Sequence, residues 1–213
     1  IIIKGLVDIE TEGGAATMFA RENGSYISVG GGRLIAKNYD SMWTNSEKAR
    51  IDVNMITDAD GNVTDAGNNP VEIEGHATTM TTWYGTGGII NIGLTTGDSK
   101  FTGEFAGAGT QNMWLRNGAV WNNTGIVYNP WSGSNYISDI SSHVTWLHGG
   151  NDKSSAGNII QNSASDLYID NLDGCTKLFM EHDLNYVVPE FAKNPDGSDK
   201  VDKDGNKIKN EDA

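Results

Sequence analysis

Gly87-Gly88-Ile89-Ile90-Asn91-Ile92-Gly93-Leu94, then Ser99-Lys100-Phe101-Thr102-Gly103-Glu104-Phe105, is the stretch on which the reading of the fold depends. Ile90, Ile92 and Leu94 recur at every second residue, and Phe101 and Phe105 share one phase around Thr102 and Glu104. Successive side chains of an extended chain point to opposite faces, so this period marks half-buried strands. Working outward, Val7 and Ile9 alternate with Asp8 and Glu10. Ile51, Val53 and Met55 alternate with Arg50, Asp52 and Asn54, and Val71 and Ile73 with Glu72 and Glu74. Leu167 with Ile169 and Leu178 with Met180 continue the pattern. Gly or Asn interrupts every candidate helix before three turns could form, and Ser46 to Ala49 allows one turn at most. The chain is expected to be nearly all β.

Spacing separates the all-β architectures. From Ile51 to Val71 is 20 residues, Val71 to Ile90 is 19, Ile90 to Met113 is 23, and Val144 to Leu167 is 23. A second strand follows the first at an offset of 11, from Ile90 to Phe101 and from Leu167 to Leu178. Periods near 20 residues with two or three short strands each predict a parallel β-helix solenoid, whose stacked coils bury a continuous apolar column. A sandwich would need frequent two-residue hairpin turns, yet Asn-Gly occurs only at Asn23-Gly24 and Asn117-Gly118. Degenerate repeats agree: Gly31 to Ile35 resembles Gly87 to Asn91, and Asp166 to Asp170 resembles Arg50 to Asn54. Ile51, Val53, Ile73, Ile90, Ile92, Leu115, Ile169 and Leu178 are expected to point inward.

Thr57 to Pro70 and Gly125 to Ser142 break the period and are expected to leave the stack as loops. Residues 1–188 are read as the β-helix and 189–213 as a charged, weakly structured tail. Asn194 to Ala213 has only Val201 and Ile208 as sizeable apolar residues. The chain opens inside a strand at Ile1-Ile2-Ile3 and is expected to be a fragment. Its exposed terminal coil should favour end-to-end self-association.

The formal net charge is −13 with only 15 Lys and Arg, which argues against a nucleic-acid partner because phosphate contacts need basic side chains. The lone Cys175 excludes an intrachain disulfide and any cysteine-rich zinc site. No apolar run of about 18 residues exists, so the fragment is not expected to insert in a membrane as a helix.

Asp58, Asp60, Asn62 and Asp65 offer oxygens at alternate positions around a Gly turn, as calcium requires, but lack a distal bidentate Glu. They read as a solvated turn, as do Asp199, Asp202, Asp204 and Asn206 in the tail. His76, His143, His148 and His182 stand without a nucleophile motif and read as structural or exposed. No metal, cofactor or catalytic residue is expected. Carboxylates assigned to the outer faces, Asp52, Glu72, Glu74, Glu104 and Asp170, keep a polysaccharide lyase or hydrolase open as the alternative.

The opening stretch, followed by Leu115-Arg116-Asn117-Gly118-Ala119-Val120-Trp121-Asn122-Asn123, resembles coils of bacterial autotransporter passenger domains. Gly157 to Gln161 and Leu167 to Asn171 resemble that family's later coils, and the likeness spans roughly residues 85 to 185. The resemblance implies a pertactin-like, right-handed, single-stranded parallel β-helix. It also implies display at the cell surface, anchored through an outer-membrane barrel in the full-length protein. The expected role is non-catalytic: adhesion or display, with a host or bacterial surface protein or glycan as partner. Counting alternation from Met113 and Leu115 as inward puts Trp114 and Arg116 outside and Trp121 inside, while the phase at Trp146 is ambiguous. With Tyr128, Trp131 and Tyr136 on the long loop, Trp114 and Arg116 form the expected binding surface, because stacked coils fill their own interior; the alternative is that the loop aromatics fold back over the coil and shield it.

Overall fold

The computed structural model describes residues 1–12, 16–79, 87–124, 142–161 and 166–180, with the backbone alone at 38. The chain packs as two units, Ile1–Glu181 and His182–Ala213, and the described residues belong to the first. The expected tail, and Tyr128, Trp131 and Tyr136, lie outside them.

In chain order the first strands are β1 (Ile2–Ile3), β2 (Val7–Thr11), β3 (Met18–Ala20), β4 (Tyr26–Val29), β5 (Gly32–Thr44) and β6 (Arg50–Val53). Then come β7 (Met55–Thr57), β8 (Val63–Ala66), β9 (Val71–Thr79), β10 (Ile89–Leu94), β11 (Lys100–Thr102) and β12 (Phe105–Gly107). The last are β13 (Thr110–Leu115), β14 (Val120–Asn123), β15 (Ser142–His148), β16 (Gly157–Gln161), β17 (Leu167–Asp173) and β18 (Thr176–Met180). Among the described residues there is no helix, and Ser46 to Ala49 is a turn closed by the bond from Ala49 N to Ser46 O.

The strands divide between a seven-stranded sheet, β1-β4-β6-β10-β13-β15-β17, and a nine-stranded sheet, β18-β16-β14-β11-β9-β5-β2, on which β12 joins β9 and β3 joins β5. The chain places one strand in the first sheet, the next in the second, and then returns one position further along. Parallel neighbours require a crossover, and here a strand of the other sheet supplies it where a helix would in an α/β fold. This arrangement is consistent with a β-solenoid. Among the described residues only the β7–β8 hairpin pairs strands antiparallel, and it occupies the excursion expected from Thr57 to Pro70.

Register shows which spacings measured a repeat. Ile51 lies beside Ile27 and Ile90, while Val71 lies beside Gly32 in the other sheet. The intervals Ile51 to Val71 and Val71 to Ile90 therefore cross between sheets and are not coil lengths. The offset of 11 does measure the step from one sheet to the other within a turn. Likewise Gly32 and Ile89 begin strands in different sheets, so the resemblance between their segments is not one of equivalent positions.

Columns of inward residues form the core. Ile9, Leu34, Ile73, Phe101, Trp121, Ile159 and Leu178 follow one another across the nine-stranded sheet. Val29, Val53, Ile92, Met113 and Leu147 do so across the seven-stranded one. Phe101 and Trp121 stack with centroids 6.2 Å apart and planes at 4°, and Phe105 meets both edge-on at 5.5 Å. Seven of the eight expected inward residues pack in or against the core. Leu178 follows the column yet is 55% exposed, because β18 ends its sheet and no described strand covers it. Large apolar side chains are also exposed at the opposite end, at Ile1, Ile2 and Leu6.

Corners carry the residues that tolerate left-handed backbone. Asn54 (φ 56°) donates its carboxamide to Gly93 O at 2.9 Å, and Asn117 (φ 55°) donates to Thr95 O at 2.9 Å, each tying its corner to another turn of the chain. Gly103 (φ +151°) sits against Gly75, and a Cβ there would lie 2.0 Å from Gly75 O. Backbone cannot yield as a flexible side chain can. Gly103→Ala should lower the melting temperature by roughly 5 °C, corresponding to about 2 kcal/mol. An unchanged melting curve would show that this corner relaxes freely.

Candidate binding surface

Alternation along β13 sends Met113 and Leu115 into the core and Trp114 to the outer side of the seven-stranded sheet, as expected. Trp114 is nevertheless only 7% exposed. His148, its neighbour in register on β15, stacks on it with centroids 4.4 Å apart and planes at 26°. His148 also lies parallel to the Trp146 ring, at 5.6 Å and 6°. Nδ1 of His148 and Oδ2 of Asp173 share a 2.8 Å hydrogen bond. A carboxylate only accepts, so Nδ1 carries the hydrogen and the imidazole plane is held.

Trp146, whose phase the sequence left ambiguous, follows the register of Asn112 and Asn171 and is 41% exposed. The signal is obscured because Val144 and Leu147, three residues apart, are both fully buried, which breaks strict alternation. Tyr168, between the core-packed Leu167 and Ile169, is 56% exposed on the same sheet. His143 and Asp170 form a second hydrogen-bonded pair there, at 2.9 Å.

Arg116 is bound rather than available. Its Nη1 donates to Asp65 Oδ1 at 2.9 Å and its Nε to Gly149 O at 3.0 Å. It thereby clamps the β7–β8 hairpin. The neighbouring polar array is likewise tied together internally, with the buried Asn112 Oδ1 left without a partner. Asp52, fully buried, accepts from Arg50 Nε at 2.8 Å, Tyr26 Oη at 2.8 Å and Asn91 Nδ2 at 2.7 Å, and Asn112 Nδ2 donates to Asn91 at 2.8 Å. On the other sheet Arg33 bridges Asp8 at 3.2 Å and Glu10 at 3.0 Å, and Lys100 meets Glu72 at 2.9 Å. Glu104, assigned to an outer, accessible position, is fully buried.

Asp58 does not present its oxygens to a cation. They accept from the backbone of Asp60 and Asn62 and from the Asn62 side chain at 2.8–3.1 Å, which lowers its pKa. Asp65 points to Arg116 instead. Among the described residues no group of three or more His, Cys, Asp or Glu side chains is arranged to hold a metal ion.

A groove of about 480 Å³ lies between β4 and the hairpin, lined by Ile2, Lys4, Tyr26, Ser28 and Ile56 among others. Its walls include no carboxylate and no histidine.

One titratable pair was not visible as such in the sequence. Asp40 and His76 face each other in register between β5 and β9. His76 is 8% exposed, neither ring nitrogen has a hydrogen-bond partner, and burial pushes its pKa down to about 4. Burial pushes Asp40 up to about 6, against the hydrogen bond it accepts from Thr78. The register shifts on both sides of Asp40, so no periodic pattern could have matched it to His76.

Comparisons of the chain with family models, with curated proteins and with solved structures gave no match.

Proposed function

We propose that the chain is non-catalytic and surface-displayed, a right-handed, single-stranded parallel β-helix of the autotransporter passenger type acting in adhesion or display. One observation carries the non-catalytic part. Asp52 is fully buried and accepts from Arg50, Tyr26 and Asn91, Glu104 is fully buried, and Glu72 is paired with Lys100. A general acid or base must reach a proton on substrate, and these three acids are buried or ion-paired. The groove beside the hairpin, lacking acid and imidazole in its walls, supports the same reading.

The alternation between two parallel sheets supports the β-helix, and the coil resemblance around Gly87 to Asn123 supports the passenger assignment. The partner is then a protein or glycan on a host or bacterial surface, met on the outer faces. Fluorescently labelled protein should coat such cells saturably. It should release neither reducing ends nor unsaturated products from a panel of acidic and neutral polysaccharides. Catalytic product would replace this reading with the β-helix polysaccharide lyase or hydrolase, and failure to coat any cell type would remove the adhesive role.

A further inference from the structure

Trp146 is a large aromatic ring left at the surface while its orientation is held from within. His148 lies parallel to it, Trp114 backs the imidazole, and Asp173 fixes the imidazole plane. An aromatic platform fixed before binding loses little conformational freedom when a ligand stacks on it. The groups around it are polar: Asn112 and Asn171 flank Trp146 in register, and Asp173 pairs with His148. Tyr168 adds a second exposed ring beside Asp170.

We propose that this surface, on the outer side of β13, β15 and β17, binds a neutral glycan, an inference that rests on the adhesive reading. A sugar ring offers an apolar C–H face to stack on indole and a rim of hydroxyls to donate to carboxylates. Those are the two chemistries the surface presents. A protein partner of ordinary size would need a broad apolar centre, whereas here the exposed rings are separated by acids and amides. Charge selects among glycans: Asp170 and Asp173 border the site and the chain carries −13 overall, so acidic sugars and phosphate polymers are repelled.

The test titrates hexasaccharides of glucose, mannose and N-acetylglucosamine, with hyaluronan and polygalacturonate as acidic counterparts, followed by calorimetry and tryptophan emission. At least one neutral hexasaccharide should bind saturably. Trp146→Ala should weaken it by about tenfold or more, as for a buried aromatic anchor, and Trp146→Phe should restore most of the affinity. The melting temperature of Trp146→Ala should match the parent, which separates lost binding from lost folding. Binding of acidic sugars alone, no neutral binding, or undiminished binding by Trp146→Ala overturns the proposal. If the labelled protein still coats cells while every oligosaccharide fails, the glycan site is wrong and the adhesive reading stands. If a neutral glycan binds through Trp146 and no cell is coated, the reverse holds.

Discussion

Replacing Trp121 with alanine should lower stability by about 4 kcal/mol, the middle of the range for a buried aromatic truncation. The indole is fully buried at the centre of the column that links Phe101 to Ile159. It stacks on Phe101, meets Phe105 edge-on, and donates Nε1 to Gly103 O at 3.0 Å. Truncation would remove apolar area from two turns at once and leave a carbonyl at a glycine corner without that donor. Because most contacts of each strand are with its neighbours along the stack, the loss should fall on the central turns and broaden the transition. Trp121→Phe should recover most of the packing but not the hydrogen bond. Calorimetric melting of the three proteins checks both parts, and a fall below about 1 kcal/mol for Trp121→Ala would show that the column closes around the gap.

The second large effect is a pH dependence that appears only when one member of a pair is removed. His76 has a folded-state pKa of about 4, below its ordinary 6.5. Folding therefore favours the neutral ring, and its contribution is complete above pH 6.5 and lost as pH falls toward 4. Asp40 has a folded-state pKa of about 6, above its ordinary 3.8. Folding favours the protonated acid, so the penalty for the carboxylate is complete above pH 6 and disappears as pH falls toward 3.8. Each shift corresponds to roughly 3 kcal/mol, and the two oppose each other across nearly the same window.

The contributions of these two groups should therefore nearly cancel in the parent protein between pH 4 and pH 6.5. Asp40→Asn should expose the histidine and lose about 3 kcal/mol on acidification across that window. His76→Gln should expose the acid and gain a similar amount. Urea unfolding at several pH values decides it: parallel profiles for the two variants would show that neither group is buried as the shifts require. Glu104, buried beside this row, is present in both variants and cancels in the comparison.

Much of the architecture was legible because strand alternation is local. Val7, Ile51, Ile73, Ile90 and Phe101 each declare an inward face within their own segment, and the extended backbone fixes the consequence. The hairpin region, Thr57 to Pro70, was legible for the converse reason, since its polar turn residues cannot continue a buried column. Trp121 inside and Trp114 outside followed from counting residues from Met113 and Leu115.

The neighbours of each strand were not legible. Excursions between paired strands differ in length, so Ile51 to Val71 mimicked a repeat while joining different sheets. Nor could alternation show whether an outward residue stays exposed. Trp114 is covered by His148, Arg116 is bound to Asp65, and Trp146 emerges where the chain departs from strict alternation. The sequence by itself determined which residues form strands and which face of most strands is apolar, because both depend on a few consecutive side chains. The stacking order, the Asp40–His76 pairing and the exposed Trp146 were decided only by the tertiary structure, because each depends on what another turn of the chain places alongside.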